Sequence, residues 1–94
     1  MSVADQLARL PVGSSMVLYR GRRWSVTRTV LQQGRVEKLW AEELGGRGVV
    51  SANLYLTADG EQFRPCEMPA SAVLEFLGSW SPPPDDAAGA AGQG

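Results

Sequence analysis

Ninety-four residues, a formal charge of −1, one cysteine and no histidine set the first limits. A lone cysteine excludes an internal disulfide, the absence of histidine removes the usual zinc ligand sets, and no apolar run approaches the roughly 20 residues that cross a bilayer as a helix. A chain of this size buries only about 60% of the surface its unfolded form exposes, so the expectation is one small domain over residues 1–80, with no metal, cofactor or membrane partner.

The chain opens with SVADQLARL, where Val3, Leu7 and Leu10 lie at helical spacing, Ser2 offers an N-cap, and Pro11 and Gly13 end the element. Asp5 inside this short apolar pattern does not suit a signal peptide, and with the single cysteine it points to a reducing, cytoplasmic location. Ser15 to Tyr19 reads as a first strand, and Arg20-Gly21 turns the chain. The next run, Arg23 to Leu31, alternates: Trp24, Val26, Arg28 and Val30 share one side, and Arg23, Ser25, Thr27 and Thr29 the other.

Gln32-Gln33-Gly34 then makes a second hairpin leading into Val36 to Leu44. A three-residue loop with Gly34 in the left-handed region sets Val30 opposite Val36, Val26 opposite Trp40 and Arg28 opposite Lys38. The other register puts Arg28 opposite Leu39, which relieves the like-charge contact but loses the Val26 with Trp40 pair. The first is preferred. Gly45-Gly46-Arg47-Gly48 follows; its amides suit a phosphate, yet the pattern is not a P-loop, and a plain connection is the expectation.

Val49 to Met68 carries two alternating runs that meet at Asp59-Gly60, a strong hairpin signal. A two-residue Asp59-Gly60 loop sets Leu56 opposite Phe63, Leu54 opposite Pro65, Tyr55 opposite Arg64 and Asn53 opposite Cys66. Leu54, Leu56 and Phe63 then face the core, with Tyr55, Arg64 and Cys66 on the reverse. Pro69 suits a first helical position, Ala70, Val73, Phe76 and Leu77 form an apolar stripe, and Gly78 suits a C-cap. From Ser81 the Pro/Gly/Ala-rich run SPPPDDAAGAAGQG has little to bury and is expected to be a disordered tail over residues 81–94. The fold expected is therefore α+β: a short N-terminal helix and a five-stranded antiparallel β-meander packed against a C-terminal helix.

Reactive chemistry is sparse. Cys66 in RPCEMP has Arg64 nearby to favour a thiolate and Glu67 to oppose it, but no second cysteine and no histidine base. No serine, lysine or carboxylate stands at a diagnostic catalytic spacing, so a non-enzymatic binding module is favoured. The charge distribution says more. Arg20, Arg22, Arg23, Arg28, Arg35 and Lys38 fall in one short region where Glu37 is the only acid, and Tyr19, Trp24, Trp40 and Tyr55 are interleaved with this cluster or lie beyond it. Binders of single strands combine such a basic surface with aromatic platforms. The candidate nucleic-acid residues are Arg22, Arg23, Arg28, Lys38 and Arg64 for phosphates, with Trp24 or Tyr55 for stacking. The competing reading makes the tryptophans core and the arginines a solvated rim.

RRWSVTR, VEKLWAEEL and LYLTADGEQFRPCEMPASAVLEFL, taken in order, resemble the single-stranded-DNA-binding transcriptional coactivator fold shared with the plant Whirly proteins. That resemblance spans about Arg22 to Leu77 and implies a curved antiparallel sheet backed by a helix, a homodimer, and single strands held on the sheet. Separately, LYRGRRWSVTR, AEELGG, SANLY and RPCEMP look like a small bacterial and plant family labelled peptide methionine sulfoxide reductase. That second likeness implies a thiol redox enzyme working through Cys66, although the GCFW-type nucleophile and paired CxxC motifs of the established reductases are lacking. A third alternative is a protein-interaction or assembly domain that uses the C-terminal helix.

Overall fold

The computed structural model describes residues 2–66 and 68–83. Its elements are α1 (Val3–Ala8), β1 (Gly13–Tyr19), β2 (Arg22–Leu31), a 3-10 turn (Gln32–Gly34), β3 (Val36–Glu43), β4 (Val49–Thr57), β5 (Gly60–Pro65) and α2 (Ala70–Ser79). The strands form one sheet in the order β1-β2-β3-β4-β5, every neighbour antiparallel, so the chain is an α+β meander with one helix at each end of it. Among the described residues no helix is long and apolar enough to cross a membrane. The tail expected over 81–94 lies, beyond residue 83, outside the described residues.

Both helices cover the same face. Ser2 caps α1 by accepting the Asp5 amide on its Oγ at 3.1 Å, and Leu7 and Leu10 descend into a core shared with Val73, Phe76 and Leu77 of α2. Beneath them lie Val17, Tyr19, Trp24, Val26, Leu39, Ala41, Val50, Ala52 and Leu54, the inward half of each alternating strand. Tyr19, Trp24 and Phe76 form an aromatic triangle with centroids 4.9 to 5.5 Å apart, in the edge-to-face and tilted geometries that ring quadrupoles favour. α2 begins one residue after Pro69, which is its cap. It runs through Gly78, where the sequence suggested an end, to Ser79, and the amide of the capping Trp80 donates to the Phe76 carbonyl at 3.1 Å. Beyond it, Ser81 bridges the outer edge of β1 through reciprocal 2.8 Å bonds with Leu18. Val73, Phe76 and Leu77 of α2 are therefore buried against its own sheet, while Ala70 and Leu74 stay exposed.

Two hairpin registers differ from expectation, with different consequences. In β2 and β3 the pairing is Val30 with Glu37, Arg28 with Leu39 and Val26 with Ala41, one residue from the preferred register. The loop is four residues, Gln32 to Arg35, and accommodates three successive positive φ values, 52° at Gln32, 57° at Gln33 and 91° at Gly34. Because side chains alternate with period two, this slip turns Glu37, Leu39 and Ala41 inward and Lys38 and Trp40 outward. In β4 and β5 the pairs are Leu54 with Phe63, Tyr55 with Gln62 and Leu56 with Glu61, two residues from expectation, so every side chain keeps its face. The turn there is Ala58-Asp59, with Gly60 at φ 116°, and Thr57 Oγ1 both accepts the Asp59 amide at 3.2 Å and donates to the Gly60 carbonyl at 3.0 Å. Only the first hairpin turns as read, through Arg20 (φ 53°) and Gly21 (φ 74°) between paired Tyr19 and Arg22.

Candidate functional site

The face opposite the helices is the candidate surface, and its layout follows from register. Thr29, Lys38, Asn53 and Arg64 stand side by side across β2 to β5. On one flank of that row lie Leu31, Val36, Tyr55 and Gln62; on the other lie Thr27, Trp40 and Ser51, with Cys66 beside Ser51, whose carbonyl accepts the Cys66 amide at 3.0 Å. Trp40 is 47% exposed, and Tyr55, Met16, Val49 and Leu31 are also exposed on this side. Four residues of strand rise at about 3.4 Å and one interstrand step of about 4.8 Å separate Trp40 from Tyr55, roughly 14 Å in all.

Polar contacts fix parts of this surface. The Trp40 indole Nε1 donates to Glu42 Oε1 at 2.6 Å, and Arg64 Nη2 donates to Gln62 Oε1 at 3.3 Å. One depression of about 410 Å³ is lined by Trp40, Val49, Ser51, Cys66 and Met68. A second of about 530 Å³, lined by Tyr55, Thr57, Gln62 and Arg64, lies across the Lys38 row. Cys66 is a half-buried free thiol; the described residues lining its depression add a hydroxyl at Ser51 but no base. Among the described residues there is also no group of three or more histidine, cysteine or carboxylate side chains to hold a metal.

The seven candidate side chains divide by face. Arg23, Lys38, Tyr55 and Arg64 share the open one, all exposed. Trp24 is on the other, 7% exposed beneath Phe76, and is removed as a stacking platform. Arg28 is also inside: its Nε meets Glu37 Oε1 at 2.8 Å, its Nη1 donates to the Leu10 carbonyl at 2.7 Å, and only 12% of its side chain is exposed. It is committed to the fold and not to a phosphate. Arg22 lies toward the helix side, paired with Glu43 Oε2 at 3.2 Å while 63% exposed.

Trp40, which the preferred register set opposite Val26 and whose accessibility the sequence left open, is the exposed aromatic that the candidate set omitted. A signal for it existed. A cation sharing a face with Trp24, Val26 and Val30 requires an anion beside it, and Glu37 is the only acid between Arg20 and Lys38. Turning Glu37 inward necessarily turns Trp40 outward.

The glycine loop has a similar internal occupant. The Gly48 amide donates to Glu43 Oε1 at 3.2 Å, and a Cβ on Gly46 would stand 2.4 Å from the Glu43 carboxyl carbon. A carboxylate sits where a phosphate would have to, which accounts for the plain connection. At the same end of the molecule Arg20 pairs with Glu75, joining the first turn to α2. The Arg20 guanidinium, with help from the Tyr19 hydroxyl, holds the Glu75 carboxyl below its ordinary range. Burial, together with Glu75, pushes the Tyr19 hydroxyl above its own. No protein-family model, curated protein or solved structure matches the chain.

Proposed function

We propose that the protein is a small binding module that takes single-stranded nucleic acid on its open sheet face. The observation that carries this reading is the placement of Lys38, Asn53 and Arg64 in one cross-strand row, flanked by exposed Trp40 on one side and exposed Tyr55 on the other. Cations along a row meet successive phosphates, and aromatic faces on both flanks receive unstacked bases, the division of labour by which sheet surfaces hold single strands. Arg23 extends the basic surface toward β1, and Glu42, opposite Ser25 on the same face, accepts the Trp40 indole N–H.

Fluorescence anisotropy of a labelled single-stranded oligonucleotide at low salt tests this directly. Binding should weaken as salt rises, with a log–log slope of about −0.7 per phosphate neutralised. It should also fall in the Lys38→Ala, Arg64→Ala double variant. No binding at low salt, or equal binding by the double variant, overturns the reading.

A second reading rests on a different feature of the same face. Met16, Leu31, Val49, Trp40 and Tyr55 are large apolar or aromatic side chains left exposed together, and such patches suit contact between protein surfaces. Under it two copies would stack sheet to sheet as a homodimer. Sedimentation of the wild type against Val49→Glu separates the readings: a dimer that dissociates in the variant, without oligonucleotide binding, supports the second and sinks the first.

A further inference from the structure

We propose that the cavity between α2 and the β1–β2 end of the sheet is a separate binding site for a small zwitterion, a free amino acid with an apolar side chain. The cavity holds about 380 Å³, within the range of small-ligand pockets, and is lined by Tyr19, Trp24, Val50 and Ala72 below, with Gly48 at the side. Four charged residues complete the lining: Arg20, Arg22, Glu43 and Glu75. They come from four different places in the chain, namely the first turn, β2, the end of β3 and α2, and form two ion pairs, Arg20 with Glu75 and Arg22 with Glu43.

The chemistry of the ligand follows from that balance. Two guanidinium groups against two carboxylates leave the lining neutral, so a dianion such as phosphate meets as much repulsion as attraction, and a dication the same. A neutral molecule that separates its own charges, a carboxylate toward the arginines and an ammonium toward the glutamates, matches both. The apolar floor then receives its side chain.

The Trp24 indole, in a residue only 7% exposed, forms one wall of the cavity. Gly48 keeps the space open: a Cβ there would lie 2.7 Å from Trp24 Cη2 and 2.8 Å from Glu43 Oε1.

The test titrates L-leucine and L-phenylalanine into the full chain and follows the indole N–H resonances by nitrogen-15 NMR, with the Trp24 resonance identified through Trp24→Phe. Saturable movement of the Trp24 signal with the Trp40 signal unmoved is the result expected. N-acetyl-leucine amide, which lacks both charges, should leave both signals in place. Arg22→Gln should weaken the response about tenfold, the loss expected for one charge-assisted hydrogen bond. Gly48→Val should abolish the response by filling the cavity; should that variant not fold, Arg22→Gln decides, because its side chain is 63% exposed and not part of the core. No saturable movement of the Trp24 signal, an equal response to the blocked amide, or an unchanged affinity in Arg22→Gln overturns the proposal.

Discussion

Along β3, successive residues meet two different environments: Leu39 and Ala41 are 3% and 0% exposed beneath the helices, while Trp40 between them is 47% exposed. The covered face is also where charge is matched internally, Arg28 with Glu37, Arg22 with Glu43 and Arg20 with Glu75. On the open face, Lys38 and Arg23 form no ion pair among the described residues, and the aromatics have no helix over them. The difference teaches that this small domain has used one side of its sheet for its core and left exposed cations and aromatics on the other. That division of roles can be broken by experiment.

The largest effect is expected at the centre of the covered face. Phe76→Ala removes the ring that meets both Tyr19 and Trp24 and should lower unfolding free energy by about 3 to 5 kcal/mol. Trp40→Ala on the open face should change it by no more than about 0.5 kcal/mol. Urea denaturation of the two variants makes the comparison, and similar losses would mean that the two faces are not distinct. Next in size is Glu37→Ala, which leaves the Arg28 guanidinium without its anion. Fully buried pairs lose about 3 to 5 kcal/mol in such a change, and the residual exposure here reduces the expectation to about 2 to 3 kcal/mol. A double-mutant cycle with Arg28→Leu should recover part of that loss, because the pair is coupled; additive effects would contradict the observed register.

The same pair explains what was legible in the sequence. Alternation in Arg23 to Leu31 and in Val49 to Met68 correctly grouped the residues of each strand and yielded the meander, while helical spacing at Val3 to Leu10 and Ala70 to Leu77 yielded both helices. What period-two alternation cannot supply is parity between strands, which depends on loop length. At Asp59-Gly60 the turn was misplaced by two residues and nothing changed sides, so Tyr55, Arg64 and Cys66 were correctly grouped. At Gln32 to Arg35 the error was one residue, and Trp40 and Lys38 changed sides relative to Val26 and Arg28. Non-glycine residues in the left-handed region are uncommon, so two successive glutamines at φ 52° and 57° gave no local warning. The ion pair, a tertiary constraint, was the better guide to this strand.

On the open face, Trp40→Ala should weaken oligonucleotide binding by about 1 to 3 kcal/mol, with the near-neutral stability already stated. Anisotropy titrations at fixed low salt measure it. Trp24→Phe should have no comparable effect, since that indole is inside. A smaller and more diagnostic change is expected in the salt dependence. Lys38→Ala should make the log–log slope shallower by about 0.7, the contribution of one phosphate contact on a single strand, and Arg64→Ala should do the same; an unchanged slope in both would remove the row from the binding surface.

The smallest effect tests whether the ion pairs of the covered side act as surface links. Glu75 joins α2 to the first turn through Arg20, and both side chains are largely in solvent, 48% and 67% exposed, so salt screens the pair. Its folded carboxyl is held below the ordinary carboxylate range by the Arg20 guanidinium, which fixes the sign. The stabilisation is present above the ordinary carboxylate range and is lost as pH falls through the lowered folded value. Wild type should therefore melt slightly above Glu75→Gln at neutral pH, and the gap should close with acid and shrink in high salt. On the alkaline side Tyr19, whose hydroxyl is pushed upward by burial and then by Glu75, favours the fold until pH rises through its raised value. Thermal melts across pH at two salt concentrations resolve these limbs. A gap that persists in strong acid would mean that the contribution of Glu75 is packing against the turn and not charge, and the covered face would then be stabilised at this end by contact alone.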